Sequence, residues 1–238
     1  MTIVPSDITT RDRLVEAAGE VFAELGFRAA TIRDISTRAG ANVAAVNYHF
    51  GDKQALYTAV LRYAHGCAIE KYPPDMGLPP TAPAAKRLEA FVRSFLLRLL
   101  DTGRPAWHAR LMARELAEPT SALDVLVHEH IQPHFLGLMG IVRQLMGDKS
   151  AAAAPAPGTP PPPALRAVCS SIVGQCLFYH FGAPITARLF PNQPHTAADV
   201  DTLAAHITRF SLAGIRATAT KVSAAAAPVR KRARRMKT

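Results

Sequence analysis

An all-α fold is predicted by three observations on this 238-residue chain. Apolar residues recur at helical spacing again and again along it. Alternating β-branched runs bounded by turn residues are nearly absent. Segments of proline and glycine fall between the periodic stretches, where helices must stop. The predicted architecture is a three-helix head with a helix-turn-helix, joined by a long helix to an α-helical body.

The first helix is predicted from Thr10 to about Leu25, with Leu14, Val15, Ala18, Val21 and Phe22 on its buried side. Gly26 follows as its stop. A short helix starts at Thr31, where Asp34 three positions on completes a capping box, and ends at Ala39-Gly40. Asn42, a favoured cap, starts a third helix that reaches Phe50. A fourth runs from Lys53 past Tyr63. Residues 72–83 carry five prolines and read as a loop. Helical patterns return at 84–101, 104–118, 120–146, 164–189 and 196–219; Pro133 and Pro184 should bend or divide two of them. Residues 148–163 are a low-complexity Pro/Ala insert, and 220–238 a basic, low-complexity tail. The expected domains are therefore 1–52, 53–219 with the insert, and the tail.

Charge is unevenly placed. Twenty-eight Lys and Arg against 18 Asp and Glu give a net +10, yet residues 1–66 are net zero and residues 221–238 alone carry +7. The excess therefore reports mostly a tail, and is no proof of a nucleic-acid-binding domain. About half the residues are apolar, which excludes a disordered chain, and three cysteines cannot staple a fold of this size. The opening MTIVPSDITTRDR lacks a basic start followed by an apolar run, so no export signal is expected. No membrane span is expected either, and a reducing cytoplasm is the natural setting. No G-x-S-x-G, G-x-x-x-x-G-K, G-x-G-x-x-G or C-x-x-C occurs. An enzyme is not expected, nor a cofactor.

Residues 31–50 carry the chemistry. Two short helices around a glycine turn make a helix-turn-helix, Gly40 taking positive φ where the chain reverses. Ile35, Ala39, Val43 and Val46 are expected to face inward against Val21 and Phe22. Asn42, Ala44, Ala45, Asn47, Tyr48 and His49 are then left outside. Small alanines let the helix approach base edges, their methyls meet thymine methyls, and Asn47 can bridge an adenine. Tyr48 and His49 offer donors to phosphate. Backbone N–H groups at the helix starts near Thr31 and Lys53 point the same way.

TTRDRLVEAAGEVFAELGFRAATIRDISTRAGANVAAVNYHFGDKQALYTAVL (residues 9–61) resembles, over roughly residues 10–62, the N-terminal domain of the TetR family of bacterial transcriptional regulators, including T-x-R-D-I-x-x-x-A-G and Y-H-F-x-x-K. The N-V-A-A-V-N-Y-H-F form, with R-L-M-A-R-E-L and G-Q-C-L-F-Y-H-F in the body, is similar to the CecR-type subgroup. The resemblance implies a homodimer on a double-stranded DNA operator. It places Thr31, Arg33, Asn42, Ala44, Ala45, Asn47, Tyr48, His49 and Lys53 at the DNA. It also implies a small-molecule effector and, by default, repression from a palindrome whose half-sites lie one helical turn, ~34 Å, apart. The competing reading is a helical ligand-binding or interaction protein without sequence-specific DNA binding.

In the body, Val168, Ile172 and Cys176, with Leu203, Ile207, Phe210 and Gly214, form apolar stripes that either meet their copies in a four-helix dimer interface or are buried within one chain. Family resemblance favours the dimer. Polar or aromatic side chains on apolar helices are the effector-pocket candidates: Trp107, Met112, Arg114, Glu115, Glu118, His130, His134, Phe178, Tyr179 and His180. An internal Arg114–Glu115 pair competes with that reading. His130 and His134 share a helix face, but Gln132 breaks the H-E-x-x-H pattern and no metal is expected. Cys169 and Cys176 lie too far apart along a helix for a bridge. The basic tail is read either as an arm attracted to phosphates or as solvated chain without a role.

Overall fold

The structure is a computed structural model that describes residues 9–100, 107–148, 160–191 and 199–226, with side chains to 220. Every regular element among the described residues is helical. The tail and most of the insert fall outside them.

The head comprises α1 (Thr10–Ala29), α2 (Ile32–Ala39) and α3 (Val43–Phe50). Each start is chemically fixed. Thr9 and Asp12 cap α1 with a capping box, Thr31 and Asp34 do the same for α2, and the Asn42 side chain accepts from the Ala44 N–H at 2.9 Å to cap α3. Gly26, at φ +81°, ends the straight part of α1 where the sequence placed its stop, and a bent turn continues to Ala29. Gly40 sits in the left-handed region between α2 and α3, its N–H reaching the Ser36 and Thr37 carbonyls. The connecting helix α4 (Lys53–Lys71) contributes Leu56, Tyr57, Val60, Leu61 and Ala64 to the head's core, so that core extends past residue 52.

The loop over 72–83 leads to the body: α5 (Ala84–Leu100), α6 (His108–Ala117), α7 (Ser121–Leu126), a π-turn (Val127–Ile131), α8 (Gln132–Leu145), α9 (Pro163–Phe181), α10 (Ala183–Leu189) and α11 (Val200–Ala226). Pro133 does not divide the 120–146 helix. It sits in the first turn after the π-turn, where widening the coil accommodates a residue with no N–H to give. The break near Pro184 falls at Gly182, and α11 continues seven residues beyond the expected end. No single described helix is long and apolar enough to cross a membrane.

Body and head meet at Trp107. Its indole lies on Gly19, in the middle of α1, so closely that a Cβ there would overlap the ring. Its Nε1 donates to the Glu16 carboxylate at 3.2 Å, and Tyr63 donates to the same side chain at 3.0 Å. Leu111 and Ala122 complete the seam from α6 and α7.

Behind the seam the body encloses histidines. The His65 ring, buried, lies 5.1 Å from His130 and 6.1 Å from both His108 and His134, centroid to centroid. Burial, assisted by the Arg98 charge, pushes His65 down to about 3 and His108 down to about 4. Both rings are therefore neutral in the folded chain at neutral pH.

The G19A variant should lose about 2 kcal/mol of stability, a fall in Tm of roughly 6 °C, because the rigid indole cannot yield to the methyl. Adding W107L should recover part of the loss; simple additivity of the two would separate the residues. The histidines set a second expectation. A ring whose folded pKa lies below its unfolded 6.5 contributes stability that is complete above pH 6.5 and lost as pH falls through the folded value. Urea melts should find the chain about 3 kcal/mol less stable at pH 5 than at pH 7. Equal stability at the two pH values would mean that these rings are not buried neutral.

Candidate nucleic-acid interface

The helix-turn-helix presents α3 outward from a fixed base. Only Val46 of α3 is fully buried, under α1 and α4, and it pins the helix by its middle. Arg13 of α1 reaches across to the Ala39 carbonyl at 3.5 Å, and the Arg11 guanidinium covers the Phe50 ring at 5.4 Å. α1 thus holds the end of α2 that leads into the reading helix, and the far end of the reading helix itself.

Its outer face matches expectation at most positions. Asn42, Ala44, Asn47 and Tyr48 are exposed, Tyr48 to 85% of its full surface, and the Asn47 side chain makes no hydrogen bond among the described residues. Thr31 and Arg33 are exposed on the adjoining end of α2, and Arg33 is in no ion pair among those residues. His49 is half-buried, its ring 5.0 Å from that of Tyr48 and 6.2 Å from that of Phe50.

Three positions differ. Val43, expected inside, is 45% exposed, because one buried valine already holds so short a helix; it widens the apolar part of the outer face. Ala45, expected outside, is half-buried against the head core. Lys53 turns inward: its ammonium donates to the carbonyls of Phe27 at 2.9 Å, Ala30 at 3.0 Å and Arg28 at 3.4 Å, above the Phe27 ring. Its three donors satisfy carbonyls left open where α1 bends at Gly26, and none remains for a phosphate.

The expected N–H anchors are also modified. The Asp34 carboxylate occupies the start of α2, accepting from the Thr31 N–H at 3.1 Å, and Asp52 caps α4 by accepting from the Ala55 N–H at 2.7 Å. The Thr31 hydroxyl and N–H hold the Asp34 carboxyl below its ordinary range. The α1 acids are turned to internal use. Arg38 bridges Glu24 at 2.9 Å and Glu20 at 3.7 Å, and Glu16 faces the seam.

Most pocket candidates on α6 serve the seam instead. Trp107 and Met112 pack on the head core. Arg114 donates to the Ala23 and Glu24 carbonyls at 2.8 and 2.6 Å, closing the end of α1. Glu115, fully buried, accepts from the Tyr57 hydroxyl at 2.7 Å and from the N–H and hydroxyl of Thr120 at 2.8 and 3.0 Å. The Arg114–Glu115 pair does not form, since each has its own partners. Glu118 is exposed beside a small cleft at the seam with Gly26, Arg28 and Pro119. Phe178 is exposed, while Tyr179 and His180 are half-buried in the body. Of the candidates, His130, His134 and His180 gather with the buried histidines. Sequence reasoning missed His65, Arg98 and His108, although the lone cation in F-L-L-R-L-L was a visible signal.

The dimer stripes divide as well. Ile172, Cys176, Leu203 and Ile207 are spent within this chain's own core. Cys169 and Cys176 are buried free thiols, each pushed up to about 12 by burial. What stays open is a groove of about 310 Å³ between α9 and α11, where Ala167, Val168, Ser171 and Gly214 lie beside Phe210, itself 63% exposed.

Comparison with known proteins agrees with this arrangement. A family model described as "HTH-type transcriptional dual regulator CecR, C-terminal domain" matches residues 84–215, more than half of the chain, and one described as "Bacterial regulatory proteins, tetR family" matches residues 14–60. The dual regulator CecR of Shigella flexneri is 32% identical over 135 residues, 51% of this chain and 57% of that protein. The transcriptional repressor NicS of Pseudomonas putida is 34% identical over 92 residues, 37% of this chain and 42% of that protein. The matches thus span about half the length of these relatives. Among solved structures, a transcriptional regulator from Rhodococcus sp. Rha1 shares the fold with a TM-score of 0.61 at 18% identity, covering 87% of this chain and 97% of that one. The TetR family regulator PfmR from Thermus thermophilus does so with a TM-score of 0.57 at 17% identity, over 86% and 96%. A tetR-type head followed by a CecR-type body, both matched in order along the chain, place it in the TetR family of transcriptional regulators.

Proposed function

We propose that the chain is a ligand-responsive repressor, which binds a palindromic DNA operator as a homodimer and releases it when a small, mostly apolar effector occupies the body. The observation that carries the reading is the outer face of α3. A Tyr so exposed beside an unengaged Asn, on a helix pinned from behind, has no packing role and suits a major groove. The zero net charge of the head does not oppose this, because the α1 acids are engaged by Arg38, Tyr63 and Trp107, away from α3. Repression accords with the name of NicS, while CecR is described as a dual regulator.

The homodimer reading rests on the α9–α11 groove. A two-fold axis there would set Phe210 of each copy among the small residues of the other, covering the apolar strip that one chain leaves open. The effector reading rests on the seam. α6 meets α1 through Arg114 and the histidine cluster through His108, so a ligand that displaces α6 would change how the head is held and shift the population of head spacings.

Gel shifts on the DNA upstream of the chain's own gene test the head. N47A/Y48A should abolish the sequence-selective complex, a loss of at least tenfold in affinity, with the melting curve unchanged. Normal binding by that variant would move the reading surface elsewhere. The dimer is tested by light scattering: F210E should convert a mass of two chains to one and weaken operator binding, since two half-sites no longer act together. A monomeric parent protein would refute the symmetric reading.

A further inference from the structure

One buried spot in the body holds more polar chemistry than packing explains. Six elements each send a titratable side chain toward it: His65 from α4, Arg98 from α5, His108 from α6, His130 from the π-turn, His134 from α8 and His180 from α9. Arg98 carries a fixed positive charge among them, while burial keeps His65 and His108 neutral. Among the described residues its guanidinium makes one hydrogen bond, from Nε to the Ser94 carbonyl at 3.4 Å, lies 5.3 Å from the Phe95 ring, and forms no ion pair. Burial lowers its affinity for the proton to about 10. Four of its five N–H donors thus lack an acceptor among those residues.

The histidines add to the imbalance. The Nε2 atoms of His65 and His108 are both buried without a hydrogen-bond partner. Buried polar groups of native proteins normally find partners, and a buried cation without a counter-charge is a heavier burden still. A metal ion does not resolve it. No three His, Cys, Asp or Glu side chains among the described residues are spaced to hold one, and Arg98 repels it. A neutral ligand leaves the charge unmatched. A monoanion with planar acceptors satisfies both the fork of the guanidinium and the idle ring nitrogens. One cation balances a carboxylate, whereas a phosphate monoester carries nearly two charges.

We propose that this spot receives the carboxylate of the body's ligand, paired with Arg98 and accepting N–H bonds from His65 and His108. The inference rests on the ligand-responsive reading and supplies the chemical class of the effector: an apolar molecule bearing one carboxylate. The position also explains how such a ligand reaches the head. His65 lies two turns along α4 from Tyr57 in the head core, and His108 directly follows Trp107. A carboxylate held between these rings draws on both helices that fix the head.

Thermal melts of the full chain with butyrate, octanoate, dodecanoate and benzoate, each beside its matched alcohol and amine, test this. At ten times its dissociation constant an acid should raise Tm by about 4 °C, and its alcohol and amine should not. R98M should abolish the acid's shift while melting no lower than the parent, because it removes an unbalanced buried charge. Acids no better than alcohols, a shift that survives in R98M, or an R98M chain that melts lower or does not fold would each overturn the carboxylate site. Gel shifts with the same acid separate the two levels: an acid-specific rise in Tm without DNA release keeps the site and removes the ligand-release reading.

Discussion

The contact between Trp107 and Gly19 is the constraint on which the rest of the molecule depends. A glycine in mid-helix weakens α1 by about 1 kcal/mol relative to alanine. Here it opens a flat place on which a large aromatic ring can lie. The ring makes the end of α6 part of the head's core, and with it come Arg114 on the carbonyls of α1 and Glu115 on Tyr57 of α4. Trp107, Leu111 and Ala122 therefore belong to the head's apolar core, while α5, α8, α9 and α11 build a second one. Their relative placement is decided by interdigitated side chains, which have discrete arrangements rather than a continuous range. On the proposed reading, that is the physical requirement for a body that holds its head in one of two positions.

The fold was legible because its signals are local. The capping box at Thr31, the Asn42 cap and the glycines at 26 and 40 act within four residues of themselves, and the helices follow from them; the Thr9 capping box, which was not among the expected signals, is equally local. The outer face of α3 was legible for the same reason, apart from Val43 and Ala45. In a helix of eight residues held by one buried side chain, periodicity leaves its first turn undecided. Lys53 was misread because a motif position states the residue and not its direction. A lysine in the first turn of a helix opposes the helix dipole, which was itself a sign of another engagement.

The body was legible as a set of helices and not as a site. A polar residue on an apolar helix looks the same whether it meets a ligand, a partner helix or a distant domain. Trp107, Arg114 and Glu115 resolved to the third case. The dimer stripes were ambiguous for a related reason: α9 is apolar on two faces, and its spacing alone does not say which is covered by its own chain. The mid-helix Gly19 in A-A-G-E and the single Arg98 in F-L-L-R-L-L were the two signals that carried long-range information, since each is unfavourable where it stands without a non-local reason.

Those two unfavourable residues have opposite resolutions within the chain. Gly19 is fully accounted for by the indole it admits. Arg98 is not accounted for by anything among the described residues, and the neutral rings around it leave two nitrogens idle. A regulator's body must remain foldable when empty and still gain on binding. A fully satisfied core would gain nothing from a ligand, and a core with several loose charges would not fold. One cation, softened by an aromatic ring and surrounded by histidines that can change tautomer, lies between those limits. On the proposed reading, the imbalance tolerated in the empty state is the free energy a ligand would draw on; its charge sits on α5, and its idle ring nitrogens sit on α4 and α6, the two helices that grip the head.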